Sequence, residues 1–383
     1  MPTIGIRGIS SDTTERTHRV SAEVDGAPVW FESADCSLAP SVEALGSAFL
    51  IPALERGARL ELPAPVSGVW LTNLAGLVPI LNEWWRYPEI LPAVPAVASG
   101  GASPRAGTAL CFSGGVDSFH SLLRGGHRVD LLVLVQGFDI GLDDEARLAA
   151  FEPSFRAIAR ACGARAVVVR TNLRQHPLFG CAPWERTHGG ALAAVGHLLA
   201  DHAGRLIISS SYTYEEQLPW GSHWRTDPLW SSDRLSIVHL GASLWRDEKL
   251  EAIAEEELVR RHLRVCWENR SPEGNCSRCD KCVLTMLMLH VSGRLEAFSV
   301  FDHPASIAER LDAVPRTGWF RHYARLLDRG LEPDVDRAVR RLLRRSRAPG
   351  PFARTARRLA RLTPRGIWRR LLAAGSRGKV ISR

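Results

Sequence analysis

Apolar residues in this chain fall in short runs whose rhythm changes near residue 105. Before that point, Val20 to Val24 alternates apolar and polar positions like a strand. Asp25-Gly26 reads as a hairpin turn, and Val29-Trp30-Phe31-Glu32 begins the return strand. Residues 42–56 place Leu45, Phe49 and Leu54 at helical spacing. Leu60-Glu61-Leu62 and Val69-Trp70-Leu71 read as strand or helix starts, and 77–85 as another helix. A stretch rich in Pro, Ala, Ser and Gly over 92–104 marks a boundary.

Beyond it the pattern becomes βαβα. Strands are expected at 107–112, 130–135, 165–170, 205–209 and 236–240, and helices at 116–124, 143–161 and 185–202. Short, largely apolar strands alternating with helices predict an α/β fold with a parallel sheet covered on both faces. Ligands of such sheets bind at the carboxyl ends of the strands. Gln136, Gly137, Phe138 and Asp139 end the second strand and belong to that edge. Residues 210–234 show no period. They read either as a substrate-covering lid or as a loop packed by its own tryptophans.

Composition allows a sizeable core: 45% of the 383 residues are hydrophobic. No apolar run approaches the ~20 residues of a membrane span, and residues 1–18 lack a secretory apolar core. The net charge of +8 misleads as an average. Residues 337–383 hold 16 Lys/Arg and no acid, leaving a net −8 on the remainder. The body is therefore not an obvious nucleic-acid surface. Three regions are expected: an α+β domain over 1–100, an α/β domain over 105–295, and a helical, Arg-rich extension over 300–383. The extension carries Leu342, Leu343, Leu359, Leu362, Ile367, Trp368 and Leu371 among arginines. It suits RNA, an acidic partner or an anionic membrane surface, or a merely solvated tail.

The chemistry concentrates at Ser113-Gly114-Gly115-Val116-Asp117-Ser118, between an apolar strand and an amphipathic helix. Such a turn points its backbone N–H groups into one concavity, and the helix dipole adds positive potential. Gly114 and Gly115 permit close backbone approach to a phosphate. Ser113 and Ser118 offer hydroxyls, and Asp117 either holds Mg²⁺ or orients the loop. The motif resembles the PP-loop of the N-type ATP pyrophosphatases and lacks the Gly-Lys-Ser/Thr of a Walker A loop. The resemblance implies an adenine nucleotide alpha hydrolase-like, Rossmann-like domain that splits ATP into AMP and pyrophosphate.

Of the eight cysteines, four form Cys266-x9-Cys276-x2-Cys279-x2-Cys282. Thiolates at this spacing converge on one tetrahedral ion and leave no open position, so the centre reads as structural zinc. An iron–sulfur cluster is the competing reading, weakened by the missing Cys-Pro after Cys282. Arg278 and Lys281 would offset the thiolate charge. This cysteine usage suits a reducing cytoplasm.

Loop and knuckle together resemble 7-cyano-7-deazaguanine synthase over residues 107–292. The likeness implies an ATP-dependent ligase that adenylates a carboxylate or carbonyl oxygen for amide or nitrile formation, with an amine donor or carrier protein as second partner. It also implies that Ser113, Gly114, Gly115, Val116, Asp117 and Ser118 hold phosphates. Gly137 and Phe138 would lie on the adenine side, and Arg246 and Lys249 would supply positive charge. Loop 210–234 and about 100 extra N-terminal residues depart from that family, so adenylation carries over better than the substrate does. Two other readings stand beside it: an RNA-thiolating sulfurtransferase with Cys181 as reactive thiol, and a nucleotide-binding module without turnover. His188 and His223 read more readily as packing or capping residues than as ligands.

Overall fold

A computed structural model describes residues 1–98, 104–216, 218–271, 274–302 and 305–347. The chain forms two compact units that divide between residues 303 and 304.

The first unit opens with strands β1 (Thr3–Thr13), β2 (His18–Val24) and β3 (Ala27–Ser33), then α1 (Val42–Glu55), β4 (Arg59–Glu61), β5 (Val66–Ser67), α2 (Gly68–Trp85) and β6 (Val97–Ala98). The βα alternation follows: β7 (Thr108–Cys111), α3 (Val116–Arg124), β8 (Leu131–Gln136), α4 (Glu145–Ala161), β9 (Arg165–Thr171), α5 (Trp184–Leu198), β10 (Arg205–Ser209) and β11 (Ser236–Leu240). Helices α6 (Arg246–Ile253), α7 (Glu257–His262) and α8 (Asp280–Val291) complete the unit.

The fold is α/β, with a nine-stranded sheet in the order β11-β10-β7-β8-β9-β3-β2-β1-β4. Strands β7 to β11 run parallel. After β7 the chain moves first to one side, to β8 and β9, and later to the other, to β10 and β11. The carboxyl ends of β7 and β10 therefore flank a topological switch point, where open α/β sheets form their ligand crevice. The turn at 113–118 follows β7 and lies at this edge.

Residues 1–98 are α+β, but they do not stand apart as the expected separate domain. Strand β3 pairs antiparallel with β9 through Phe31–Thr171 and Glu32–Arg170 and extends the same sheet. Side chains fasten the seam: Asn172 Oδ1 accepts from the Trp30 amide at 2.8 Å, and the Ser33 hydroxyl donates to the Val168 carbonyl at 2.8 Å. The physical reason is the open edge of β9, whose unpaired groups need a partner. Val29, Phe31, Leu45 and Phe49 join Val167, Val169 and Leu173 in one core. Gly190 of α5 touches α1 so closely that a Cβ there would lie 2.3 Å from the Ser47 carbonyl. The Pro- and Gly-rich stretch thus marks a connection, not a domain border.

Strand β1 carries only two buried apolar residues, Ile4 and Ile6, so periodicity does not reveal it. Residues 69–71 are the first turn of α2, whose N-cap Ser67 accepts from the Trp70 amide.

The second unit is described over 305–347. It holds α9 (Ile307–Ala313), α10 (Phe320–Leu327) and α11 (Pro333–Arg347). Ser306 and Glu309 form a capping box on α9. On α11, Val335, Ala338, Val339, Leu342 and Leu343 form one buried stripe. Arg341 pairs with Asp312, and Arg345 donates to the carbonyls of Leu311 and Val314 at 3.0 and 2.9 Å. Leu342 and Leu343 thus pack inward instead of forming a membrane-facing surface. The remaining apolar residues of the basic extension, Leu359 to Leu371, lie outside the described residues. Among the described residues no helix is long and apolar enough to cross a membrane.

Candidate functional site

The turn after β7 is built by constraint. Gly114 has φ +79°, a left-handed conformation that favours glycine. A Cβ there would also lie 2.8 Å from the Phe151 ring and 3.2 Å from Arg264 Cβ. Gly115 is the N-cap of α3, with no side chain over the helix end. The first amides of α3 are therefore left open to a ligand. The Gly114 carbonyl accepts from the Arg264 amide at 2.8 Å, which fixes the back of the turn. Ser113 is half-buried beside it. Ser118 turns away from the expected role, because its hydroxyl donates to the Gly115 carbonyl at 3.0 Å. Val116 is fully buried and anchors the helix start.

Asp117 is the electrostatic centre. Its Oδ2 lies 3.0 Å from Arg246 Nη1 and its Oδ1 lies 3.1 Å from Lys249 Nζ. Lys249 is 1% exposed and also donates to the Ser210 carbonyl at 2.6 Å. Burial alone would raise the Asp117 pKa; Arg246 and Lys249 outweigh it and hold the carboxyl down at about 2. Both cations come from the first turns of α6, directly beyond β11. The two basic residues that the resemblance implies thus meet at Asp117. Of the two roles expected for Asp117, orienting the loop and its cations is the one these contacts support.

His120, on α3 beside Lys249, is 7% exposed and its Nδ1 has no hydrogen-bond partner. Burial and the Lys249 charge lower its pKa and keep the ring neutral. A Cβ on Gly241 would lie 3.8 Å from that nitrogen.

Gly137 ends β8 with φ +105°, and its backbone runs so close to β9 that a Cβ would meet the Thr171 carbonyl at 2.1 Å. Phe138 is buried against Trp184 with ring centroids 5.0 Å apart, so its face is already occupied. Its carbonyl accepts from Arg174 at 2.7 Å. The 137–138 segment shares the carboxyl edge with the turn, but only its backbone is presented there.

Loop 210–234 is fastened rather than loose. The Gly221 amide donates to the Glu185 carbonyl at 2.7 Å, and the Ser222 amide donates to His188 Nε2 at 3.1 Å. His188 Nδ1 in turn lies 3.0 Å from the Trp184 carbonyl, so both ring nitrogens are engaged and His188 is a packing residue. Trp230 is fully buried in the core. Fully buried Asp227 accepts from Ser222 Oγ at 2.7 Å and from His239 Nδ1 at 2.7 Å. It pins the loop to β11. His223 packs on Trp84 and Trp224, and burial pushes its pKa down to about 4.

The four knuckle cysteines are all buried, and their sulfurs lie within 4.8 Å of one another. Cys266 and Cys279 sulfurs are 3.8 Å apart, and Cys276 and Cys282 sulfurs 4.0 Å. Four sulfurs each about 2.3 Å from a central ion are about 3.8 Å apart, so the spacing fits one tetrahedral ion. Amides of Cys279 and Cys282 donate to the sulfurs of Cys276 and Cys279 at 3.2 and 3.5 Å. Hydrogen bonds from the other three thiols lower the Cys266 pKa.

Two knuckle residues act through contacts that spacing does not show. Asn275 Oδ1 accepts from the amides of Val265 and Cys266, at 2.8 and 3.1 Å, and its Nδ2 donates to the Leu263 carbonyl at 2.8 Å. It closes the long ligand spacing as a clip. Burial, with the Arg246 charge, brings the Lys281 pKa down to about 8, and Asp139 and Asp117 act on it in the other direction. Its charge belongs with the crevice, a placement that only the packing of α8 beside α6 reveals.

Cys111 and Cys162 are poorly disposed as sulfur carriers. Burial pushes the Cys111 thiol up to about 12 and raises Cys162 as well. Cys181 is exposed, with Arg56 Nη2 3.5 Å from its sulfur.

No protein-family model matches the chain, and neither a curated protein nor a solved structure is significantly similar to it. The site and the fold therefore carry the functional reading alone. They define an α/β protein with a mostly parallel sheet, a glycine turn at its switch point and a four-cysteine candidate metal centre.

Proposed function

We propose that this chain is a PP-loop enzyme that splits ATP into AMP and pyrophosphate and adenylates a carboxylate or carbonyl oxygen. The observation that carries the reading is the convergence of Arg246 and Lys249 on Asp117 at the mouth of the glycine turn. A turn of open amides with two buried cations beside it is what a departing pyrophosphate requires. Attack at the α-phosphorus needs no protein nucleophile. The amides of 114–116 and the Ser113 hydroxyl would hold the β- and γ-phosphates. Arg246 and Lys249 would balance the developing charge, and Asp117 keeps those two cations in place. Mg²⁺ enters with the nucleotide and supplies further charge neutralisation.

An amine donor would then attack the acyl adenylate and expel AMP to form an amide; a second adenylation, now of the amide oxygen, and loss of AMP would give the nitrile chemistry of 7-cyano-7-deazaguanine synthases. Zinc is the ion we assign to Cys266, Cys276, Cys279 and Cys282. Thiolates this close suit a single ion, whereas a cubane cluster places each ligand on its own iron. Four sulfur ligands leave no open position, so the metal is structural.

The test is direct. Purified protein with MgATP is offered ammonium and a panel of carboxylates, and AMP and pyrophosphate are measured. Binding of MgATP that weakens in Ser113→Ala and Lys249→Met supports the reading. Binding that ignores both substitutions sinks it. Binding without pyrophosphate release under any acid favours a sensor.

A further inference from the structure

Behind the glycine turn, on the side of Phe151 and Arg264, lies a cavity of about 110 Å³. Helix α4 contributes Arg147, Phe151 and Ser154 to its wall; the end of α7 and the segment after it contribute Arg261, His262 and Arg264. Among the described residues no carboxylate lines it.

The three arginines are not equivalent. Arg147 spends its guanidinium on Asp144 and on the carbonyls of Asn269 and Ser271. Arg261 is ion-paired with Glu257. Arg264 is 8% exposed, yet no carboxylate pairs with it among the described residues. Its contacts are the Asn269 amide oxygen at 3.1 Å and the face of Phe151 at 5.4 Å. Beside it, His262 Nδ1 is buried with no hydrogen-bond partner. Asp139, the Cys266 sulfur and Asp144 act on Arg264 through space without contacting it, so its planar fork is left to match the oxygens of a carboxylate or phosphate.

The geometry points to an oxyanion subsite: the cavity takes a phosphate or carboxylate group on the Arg264 guanidinium, with Ser154 and His262 beside it. The space suits a small ion or a terminal group, not a nucleotide. The amide of Arg264 donates to the Gly114 carbonyl, so the residue that would hold the anion is also hydrogen-bonded to the glycine turn. The subsite uses none of residues 113–118 and stands or falls independently of the nucleotide reading.

The test uses the full chain labelled with ¹⁵N. The Arg264 Nε–H resonance is assigned by its loss in Arg264→Lys, which keeps the charge and the amide bond to Gly114 while removing the fork. Inorganic phosphate, pyrophosphate and acetate are titrated separately. A saturable shift with at least one of them is expected, and the strongest of the three identifies the source. Calorimetry should show that affinity falling about tenfold in Arg264→Lys and at least threefold in Ser154→Ala and His262→Leu. A resonance unmoved by all three anions up to millimolar concentration overturns the assignment. So does an affinity unchanged by Arg264→Lys, and saturable binding that follows none of these variants counts as an adventitious ion only. Should Arg264→Lys fail to fold, Ser154→Ala decides by the same criterion.

Discussion

At the scale of single residues, the buried triad Asp117–Arg246–Lys249 makes the sharpest demands. Asp117→Asn leaves two buried cations without their carboxylate and should cost about 3 kcal/mol of stability, read by urea denaturation. The same triad carries a pH signature. The Asp117 carboxyl is held below its ordinary value of 3.8, at about 2. A depressed acid stabilises the fold fully above its unfolded pKa and loses that contribution as pH falls through the folded one. Stability of the natural chain should therefore drop between about pH 4 and pH 2 by on the order of 2 kcal/mol more than that of Asp117→Asn. Gly137→Ala meets both a left-handed backbone and the Thr171 carbonyl at 2.1 Å. A loss of about 3 kcal/mol is expected; a change under half that would mean that β8 and β9 shift apart easily.

At the scale of elements, the knuckle and the turn form one mechanical unit. Arg264, two residues before Cys266, fixes the Gly114 carbonyl. Chelating the metal should free the 263–282 segment and speed hydrogen exchange at residues 113–118, measured by mass spectrometry. Exchange unchanged there after metal loss would show the two to be uncoupled. This level also shows what the sequence reveals. The glycine turn, β7 to β11, α3 and the four cysteines were legible because each is local: apolar runs, turn residues and fixed spacings. Strand β1 was not, since only Ile4 and Ile6 face inward. Neither were the contacts of Asn275, Arg264 and Lys281, which exist only once α8 and the segment before it pack beside the turn. Ser118 and Phe138 were found by position, but their side chains serve the fold: one bonds the Gly115 carbonyl, the other stacks on Trp184.

At the scale of the whole molecule, the division near residue 303 sets where the chain can be cut. Truncation at Asp336 severs α11 and strips Val339, Leu342 and Leu343 from the second unit. Ending the chain after Asp302 instead should leave metal content and MgATP affinity of the first unit unchanged. A loss of either would show that the second unit supports the site. A cut inside 92–104 has no such licence, because residues on both sides share a sheet and a core. The seam also sets an order of events during synthesis. Phe31 leaves the ribosome long before Thr171 exists to pair with it, so the early hairpin must wait with an unsatisfied edge. The nine-stranded sheet therefore closes only after residue 171 has been made.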